Sequence, residues 1–211
     1  MFIVLESIDG GGKGRQREEI EKYYKAKGVN IRTMGFPDHN NCVWREYIHP
    51  ALHKEKILNK FTWFVGFAFD KAIWQEEIKK YKSDPNNLFI VDGYYTTTLV
   101  YQCLIQGFPS LDFGVKFSEE MGMVKPDLTI YLDVNPKVAM LRKYGEDGKD
   151  EKDMFESDVA MQAKIQAGFN KLIDEKIWCE WKVIDGGGTI EEVRDLVINE
   201  VQELKLNLNS K

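Results

Sequence analysis

The stretch from residue 2 to residue 16, FIVLESIDGGGKGRQ, decides the fold. Four apolar residues at positions 2–5 are typical of a buried strand, and the sequence becomes helical from Arg15. Between the two lies a loop with four glycines around a single lysine. Glycines let backbone N–H groups curve around an anion, and the start of a helix adds the positive end of its dipole. The sequence therefore predicts a phosphate-binding loop that contains Gly10, Gly11, Gly12, Lys13 and Gly14.

This loop departs at both ends from the Walker A pattern, G-x-x-x-x-G-K-[ST]. Counted back from Gly12, the first glycine of the pattern falls on Ser7. Gly14 stands where the pattern has the hydroxyl that binds Mg²⁺. The alternative interpretation is a plain glycine turn with a solvated Lys13, but the position between a strand and a helix favours phosphate binding.

Composition limits the classes of protein that fit. With 211 residues and 43% hydrophobic residues, we expect a single domain that spans residues 1–211. A net charge of −5 and a pI near 5.4 disfavour sequence-independent nucleic-acid binding, so no nucleic acid partner is expected. The first strand begins at Phe2, which leaves no room for a signal peptide, and the longest apolar run, residues 61–69, is about half of a membrane span. We therefore expect a cytoplasmic protein with no membrane partner.

The cysteines and histidines give no clear signal for a metal. The three cysteines are far apart and form no C-x-x-C motif, so we interpret them as packing residues in a reducing compartment. His49 and His53 are four residues apart and could share a metal, but Pro50 lies between them and no third ligand is near in sequence. Surface histidines are the favoured interpretation.

Apolar runs of strand type alternate with helical segments along the whole chain. This alternation predicts a parallel sheet of about five strands covered by helices on both faces. Residues 145–153, GEDGKDEKD, are too charged to pack, so we expect a mobile lid at about residues 143–154 and a frayed terminus from residue 205. The predicted strands are 2–5, 29–34, 88–91, 128–134 and 181–184, and the predicted helices are 15–27, 44–52, 56–81, 94–106, 136–142, 155–176 and 190–204.

Asp92 directly follows the predicted strand 88–91. An acid at the carboxyl end of a buried parallel strand points to the crevice where open α/β sheets bind ligands. A structural strand-end cap is the alternative. The aromatic residues of the predicted helix 56–81 are core residues more often than ligand contacts, although one ring can face a cleft and serve both roles.

Six fragments together resemble a known family. In chain order they are VLESIDGGGKGRQ, FPD, FAFDK, VDGYYTTTLVYQ, KPDLTIYLDV and VIDG. Their order and spacing resemble thymidylate kinases, which are P-loop nucleoside monophosphate kinases, and the FPD loop is closer to the eukaryotic and viral branch. The resemblance implies a three-layer P-loop kinase fold, phosphoryl transfer from ATP to thymidine monophosphate with Mg²⁺, and a homodimer.

The resemblance also implies roles for individual residues. The expected catalytic residues are Lys13, Asp9, Asp92 and Arg142, with Asp92 near Mg²⁺ through water. The expected ATP-binding residues are Gly10, Gly11, Gly12, Lys13, Gly14, Arg15 and Asp185, the last beside adenine. The expected acceptor-binding residues are Asp9, Phe36, Pro37, His39, Phe67, Lys71, Tyr94, Thr97, Tyr101 and Gln102, with Phe67 stacked on thymine.

Several positions depart from the family pattern, and most of them lose an arginine. The pattern R-F-P-E-R is here GFPDH from Gly35, and D-R-Y is here Asp92-Gly93-Tyr94. Lys71 replaces another arginine, and the lid motif R-[YF]-E is here MFE at residues 154–156. A lysine offers only a point charge in place of an arginine fork. The cations that could compensate are Arg15, Arg17, Arg142, Lys143, Lys149 and Lys152, each with a solvated surface charge as its alternative.

Three functions fit this pattern. The first is a divergent but active thymidylate kinase, because Lys13, Asp9 and Asp92 are intact. The second is a nucleotide-binding or regulatory protein with the kinase fold and weakened catalysis. The third is a kinase for a different nucleoside or nucleoside monophosphate, because lost arginines at the acceptor phosphate can accompany a changed acceptor.

Overall fold

The fold is built on one parallel sheet. The structure is a computed structural model and describes residues 1–147 and 159–209. Within these residues, five strands pair in parallel in the order β2-β3-β1-β4-β5. The strands are β1 (Phe2–Glu6), β2 (Asn30–Gly35), β3 (Asn87–Asp92), β4 (Leu128–Asp133) and β5 (Trp181–Asp185). The predicted parallel α/β sheet with helices on both faces is confirmed.

Helices fill the connections between the strands. Two π-helical segments, Trp44–Ile48 and Leu99–Ile105, lie directly before α2 and directly after α5. The α-helices are α1 (Lys13–Ala26), α2 (His49–Leu52), α3 (Lys60–Ala72), α4 (Gln75–Lys82), α5 (Tyr95–Thr98), α6 (Leu111–Glu120), α7 (Pro136–Asp147), α8 (Val159–Asp174) and α9 (Ile190–Asn209). Within the described ranges, no helix is both long and apolar enough to cross a membrane.

The central strand β1 is buried along its whole length and separates two cores. Because side chains alternate across a strand, Phe2 and Val4 enter the core on one face and Ile3 and Leu5 enter the core on the other. The first core includes residues of α3, α5 and α8, and the second includes residues of α1 and α9. The apolar run that begins the chain is therefore the centre of a three-layer structure.

The structure corrects three of the predicted helices and adds one. The predicted helix 56–81 is two helices, separated by a turn in which the Lys71 carbonyl accepts from the Trp74 backbone N–H at 3.2 Å and from Gln75 Nε2 at 2.7 Å. Helix α6 was not predicted, although Ser110 caps it by accepting from the backbone N–H of Phe113. Helix α7 continues through residues 143–147, and α9 continues to Asn209 instead of fraying from residue 205. The rest of the predicted lid, residues 148–154, lies outside the described residues.

The sheet order places a ligand crevice at its carboxyl edge. Strand β1 lies between β3 and β4, so the connections after β1 and β3 leave the sheet on opposite sides of this edge. Gly35 at the end of β2 is in register with Asp92 at the end of β3, and Asp92 is in register with Leu5 of β1. The loop after β1 and the ends of β2 and β3 therefore meet at one place.

Candidate active site

The glycine loop after β1 has the curved backbone that an anion requires. Gly10 has a φ of 76° and Gly12 a φ of 88°, both in the left-handed region that favours glycine. Ser7 Oγ donates to the carbonyl of Leu132 at 2.7 Å, and a Cβ on Gly11 would lie only 1.9 Å from that Oγ. The side chain of Ser7 thus ties the loop to β4, and Gly11 leaves space for it.

Lys13 begins helix α1 and its ammonium group lies over the loop. Lys13 Nζ donates to the carbonyls of Ser7 at 2.8 Å and Ile8 at 3.1 Å. A mobile lysine at this point of a strand-loop-helix unit can turn to the phosphates of a bound nucleotide. The predicted phosphate-binding loop therefore has the required local geometry.

Asp9 is held between two helical segments. Its backbone N–H donates to Gln162 Oε1 at 3.0 Å, and its Oδ2 accepts a hydrogen bond from the Tyr101 hydroxyl at 3.0 Å. The structure thus brings the predicted residues Asp9 and Tyr101 together. Gln162 of α8 was not predicted, because its position in sequence carries no motif that links it to the loop.

Asp92, at the end of β3, lies next to the start of α1. Arg17 Nε is 3.2 Å from Asp92 Oδ2, and a Cβ on Gly14 would lie 3.6 Å from the same oxygen. Burial raises the pKa of the Asp92 carboxyl, while the positive charges of Arg17 and Lys13 and the neighbouring His39 lower it. The carboxylate is therefore the acidic centre of a mainly cationic group of side chains.

A second acid, Glu6, lies at the end of β1 and is completely buried. Its carboxylate accepts hydrogen bonds from the Thr96 hydroxyl, from the Thr97 hydroxyl at 2.8 Å and from the Tyr94 backbone N–H at 3.0 Å. Burial raises the pKa of Glu6, and these donors together with the charge of Lys13 oppose that rise. The sequence signal that identified Asp92, an acid at the end of a buried strand, is equally present at Glu6.

Lys71, predicted to hold the acceptor phosphate, is buried in the structure. Its Nζ is 3.3 Å from Asp70 Oδ2 and only 2% of its side chain is exposed. The ammonium lies 5.3 Å from the ring centroid of Phe36 and 5.5 Å from that of Phe67. Burial lowers the pKa of Lys71, and the charges of Asp70 and Glu6 raise it again. The positive charge is thus enclosed by aromatic rings and one paired acid.

The predicted base-binding residues lie on α3 and on the π-helical segment Leu99–Ile105. Phe67 is half-buried and stacks on Trp63 with 5.8 Å between ring centroids. Gln102 is buried, and its Nε2 makes no hydrogen bond to any described residue. A buried amide donor without a partner fits a ligand carbonyl. π-Helical turns are often found at functional sites, which is consistent with this interpretation.

His39, Pro37 and Arg15 are three further residues that the sequence predicted for the site. His39 is exposed and stacks on Trp44 with 4.3 Å between ring centroids, and the Phe36-Pro37 peptide is cis. Arg15 points outward and pairs with Glu19 at 3.2 Å.

Tyr94 is a correction to the predicted acceptor-binding set, because its side chain lies in the core and not in the crevice. It is completely buried. Its hydroxyl accepts from Gln75 Nε2 at 2.9 Å and donates to the Val124 carbonyl at 3.2 Å. Its backbone N–H donates to Glu6, and its ring packs on Phe36 from the core with 5.8 Å between ring centroids.

Arg142, predicted to be catalytic, contacts the turn after β5. Its Nη1 donates to the Gly186 carbonyl at 2.9 Å and its Nη2 to the Gly187 carbonyl at 3.2 Å. Asp185, predicted to lie beside adenine, accepts from the Gly187 backbone N–H at 2.8 Å. Arg142 and Asp185 thus share one turn on the β5 side of the sheet, separate from the contacts of Asp92.

Comparison with known proteins identifies the family. A family profile described as thymidylate kinase matches residues 5–197. The chain belongs to the thymidylate kinase family. A thymidylate kinase of Danio rerio is 30% identical over 210 residues, covering 99% of this chain and 91% of the relative. A thymidylate kinase of Plasmodium falciparum is 26% identical, covering 97% of this chain and 91% of the relative. A thymidylate kinase of Chlorobium luteolum is 23% identical, covering 96% and 97%.

Membership of the thymidylate kinase family raises the question of a Mg²⁺ site. Among the described residues, no cluster of three or more His, Cys, Asp or Glu side chains could hold a metal by itself. Mg²⁺ needs less than that, because it commonly uses one or two carboxylates together with waters and substrate phosphates. Asp92 beside Gly14 supplies one carboxylate at the phosphate loop, so the residues present fit a magnesium ion.

Proposed function

We propose that this protein transfers the γ-phosphate of ATP to thymidine monophosphate, giving thymidine diphosphate. The observation that supports this most directly is the meeting of the Lys13 loop with Asp92 at the carboxyl edge of the sheet. Phosphoryl transfer mainly requires alignment of the reactants and neutralisation of charge, so an anion-binding loop, cations and a carboxylate for Mg²⁺ are the necessary parts. The names of the curated relatives support the same reaction.

On this proposal the donor nucleotide lies over the loop after β1. Gly10, Gly11, Gly12 and Gly14 contribute backbone N–H groups to its phosphates, and Lys13 neutralises charge on the group that is transferred. Arg142 and Asp185 form the turn that we assign to adenine. Because Arg142 donates to this turn, we assign it to ATP binding and not to the transfer step.

The acceptor nucleotide lies on the other side of the loop, between α3 and the π-helical segment Leu99–Ile105. Phe67 stacks on the thymine, and the free Nε2 of Gln102 donates to one of its carbonyl oxygens. Tyr101 and Asp9 lie at the sugar, joined by their hydrogen bond. Phe36, Pro37, His39, Lys71 and Thr97 complete the predicted set around the phosphate.

Mg²⁺, when bound with ATP, neutralises phosphate charge. Asp92 would hold it through water. Asp92 is the only member of the predicted set that we assign to the metal, because Gly14 has no side chain to contribute.

We further propose that the chain is a single kinase domain with a lid at about residues 143–154, that it forms a homodimer, and that it works in the cytoplasm. Exposed aromatic side chains on α3 support a dimer. The single sheet supports a single domain.

A coupled assay of ADP release tests the proposed reaction. We expect turnover with thymidine monophosphate, ATP and Mg²⁺, and a loss of about 100-fold or more in Lys13→Ala. Thymidine and the other common nucleoside monophosphates are tested in parallel. No turnover above the Lys13→Ala variant with any acceptor would refute a kinase function, and nucleotide binding without turnover would then favour the regulatory alternative. Preferred turnover of another acceptor would favour the third function.

A further inference from the structure

The neighbours of Gly35 leave no room for a side chain at this position. A Cβ at this position would lie 2.7 Å from Asp92 Oδ1 and 3.0 Å from Arg17 Nη1. Gly35 is not among the glycines with positive φ, so its backbone conformation would accept any residue. The space is therefore filled by the guanidinium of Arg17, which reaches across from α1.

Arg17 shares a helix face with the loop lysine. Lys13 and Arg17 are four residues apart on α1, and residues at this spacing lie above one another on a helix. Both positive charges act on Asp92. Arg15, in contrast, points outward to Glu19 and has 53% of its side chain exposed.

The guanidinium of Arg17 has N–H donors that can still bind a ligand. Its Nε lies 3.2 Å from Asp92 Oδ2, but this nitrogen makes no aligned hydrogen bond within the described part of the chain. A guanidinium has five N–H donors, which one carboxylate cannot all use. Of its side chain 23% is exposed, whereas Lys71 has 2% exposed and is paired with Asp70. Arg17, which lies beside Asp92, is thus more accessible than the buried Lys71.

The position of Arg17 indicates which phosphate it contacts. Gly35 belongs to β2, the edge strand next to β3, and lies one residue before Phe36. The donor turn that carries Asp185 follows β5, the opposite edge strand. The guanidinium therefore lies on the side of Asp92 that the proposed function gives to the acceptor.

We propose that Arg17 binds the phosphate of the acceptor nucleotide. Asp92 orients the guanidinium and the absence of a side chain at Gly35 admits it, so that an arginine from α1 supplies the planar donor group that the end of β2 lacks. Arginine suits this task because its paired N–H groups match two phosphate oxygens. The inference rests on the proposed function for the identity of the acceptor.

Calorimetry with thymidine monophosphate and with thymidine, both without ATP, tests the phosphate contact. We expect Arg17→Gln to bind the monophosphate about 10- to 100-fold more weakly and to bind thymidine unchanged. Lys22→Gln is the control on the same helix, because it removes a positive charge from an exposed side chain that pairs with Glu19, and it should bind both ligands like the wild type. Equal weakening for both ligands would show a merely structural role and overturn the proposal, as would unchanged binding of the monophosphate.

A second test moves the arginine from α1 to the end of β2. It remains informative if Arg17→Gln folds poorly. Gly35→Arg alone should weaken binding of the monophosphate, because the new side chain collides with Arg17 and Asp92. Arg17→Ala combined with Gly35→Arg should bind more tightly than either single variant, because removal of Arg17 makes room for the new guanidinium and only the terminal carboxylate oxygen of Asp92 then has to shift. A double variant no better than the weaker single variant would count against the proposal.

These measurements separate the inference from the proposed reaction. If phosphate binding depends on Arg17 but no acceptor is turned over, the inference holds and the kinase function fails. If thymidine monophosphate is phosphorylated normally and Arg17→Gln leaves its binding unchanged, the inference alone fails.

Discussion

At the scale of single residues, Gly14 leaves open space next to Asp92. A Cβ there would make an ordinary contact of 3.6 Å with Asp92 Oδ2. We expect Gly14→Ser to place a hydroxyl beside the carboxylate and to lower the Mg²⁺ concentration for half-maximal rate by about tenfold. The measurement is a magnesium titration of the kinase assay.

Gly14→Ala is the matched control for this change. Both variants replace a glycine near the start of α1 and should raise helix stability by up to about 1 kcal/mol, which thermal unfolding can measure. Only the serine brings an oxygen ligand. If the alanine variant shifts the magnesium dependence as far as the serine variant, the hydroxyl is not the cause.

Lys71 gives a prediction for the pH dependence of acceptor binding. Burial lowers the pKa of its ammonium, so the charge is present at low pH and is lost as pH rises through a value below the ordinary 10.5. We therefore expect the KM for thymidine monophosphate to increase with rising pH before the ordinary lysine value of 10.5 is reached, in a range where the substrate phosphate is already ionised.

Lys71→Arg should remove that increase, because arginine keeps its charge throughout this range. Lys79→Arg on α4, where 52% of the side chain is exposed, makes the same chemical change without burial and should retain the wild-type profile. A parallel rise of KM in the wild type and in Lys71→Arg would assign the titration to another group.

Residue types at strand ends could be interpreted from sequence, but contacts between distant residues could not. The loop, Lys13 and Asp92 were predicted because each follows a recognisable apolar strand. The contact of Arg17 with Gly35 joins α1 to β2, and only folding brings these elements together. The burial of Lys71 also depends on contacts that only folding creates. From sequence alone, a lysine next to an acid is usually a solvated charge.

At the scale of elements, the π-helical segment Leu99–Ile105 carries a test of base binding. Gln102 is buried and its Nε2 has no partner among the described residues, so Gln102→Leu removes no protein hydrogen bond from that nitrogen. We expect the variant to unfold at the wild-type temperature or slightly above it, while the KM for thymidine monophosphate rises about 10- to 100-fold.

Gln75→Leu is the comparison variant, because the side chain of Gln75 is buried and fully hydrogen-bonded within the protein. Gln75 bonds to the carbonyl of Lys71, to the hydroxyl of Tyr94 and to the backbone N–H of Val124. Its loss should lower the free energy of unfolding by about 2–3 kcal/mol, because buried partners are left unsatisfied. If Gln102→Leu destabilises the protein as much as Gln75→Leu does, the amide has a structural role instead.

Helix boundaries show where local sequence stops being informative. No glycine or proline marks the break between α3 and α4, where the Lys71 carbonyl accepts from the Trp74 backbone N–H and from the side chain of Gln75. Helix α6 was missed partly because it contains Gly114, which usually weakens a helix. A Cβ on Gly114 would lie 2.8 Å from Cys103 Sγ, so this glycine permits close packing of α6 on the π-helical segment. The segments that form strands could be predicted from their apolar runs. The order of the strands in the sheet could not, because it depends on crossovers that local periodicity does not encode.

At the scale of the whole molecule, exposed aromatic side chains predict self-association. Phe61 of α3 is 42% exposed and lies 6.1 Å from Phe113 of α6, measured between ring centroids. Phe108 joins the same cluster at 6.3 Å from Phe61. We expect the wild type to sediment as a dimer at micromolar concentration and Phe61→Asp to sediment as a monomer, because a charge cannot be buried there without a partner.

The control for this prediction is Ile57→Asp. Ile57 is 97% exposed and takes no part in the aromatic cluster, so its replacement should leave the dimer intact. Sedimentation of the wild type as a monomer would remove the proposed dimer, and dissociation by both substitutions would show that charge alone, not the aromatic cluster, controls association.

The side chain of Ser7 fills the space that a side chain at position 11 would need, and this constrains which substitutions the loop can accept. With Ser7 bound to Leu132, an alanine at position 11 has no room, although a serine-to-glycine change at position 7 would create it. The two substitutions are therefore tolerated in one order and harmful in the other. We expect the two positions to covary among relatives, with a side chain at either position but not at both.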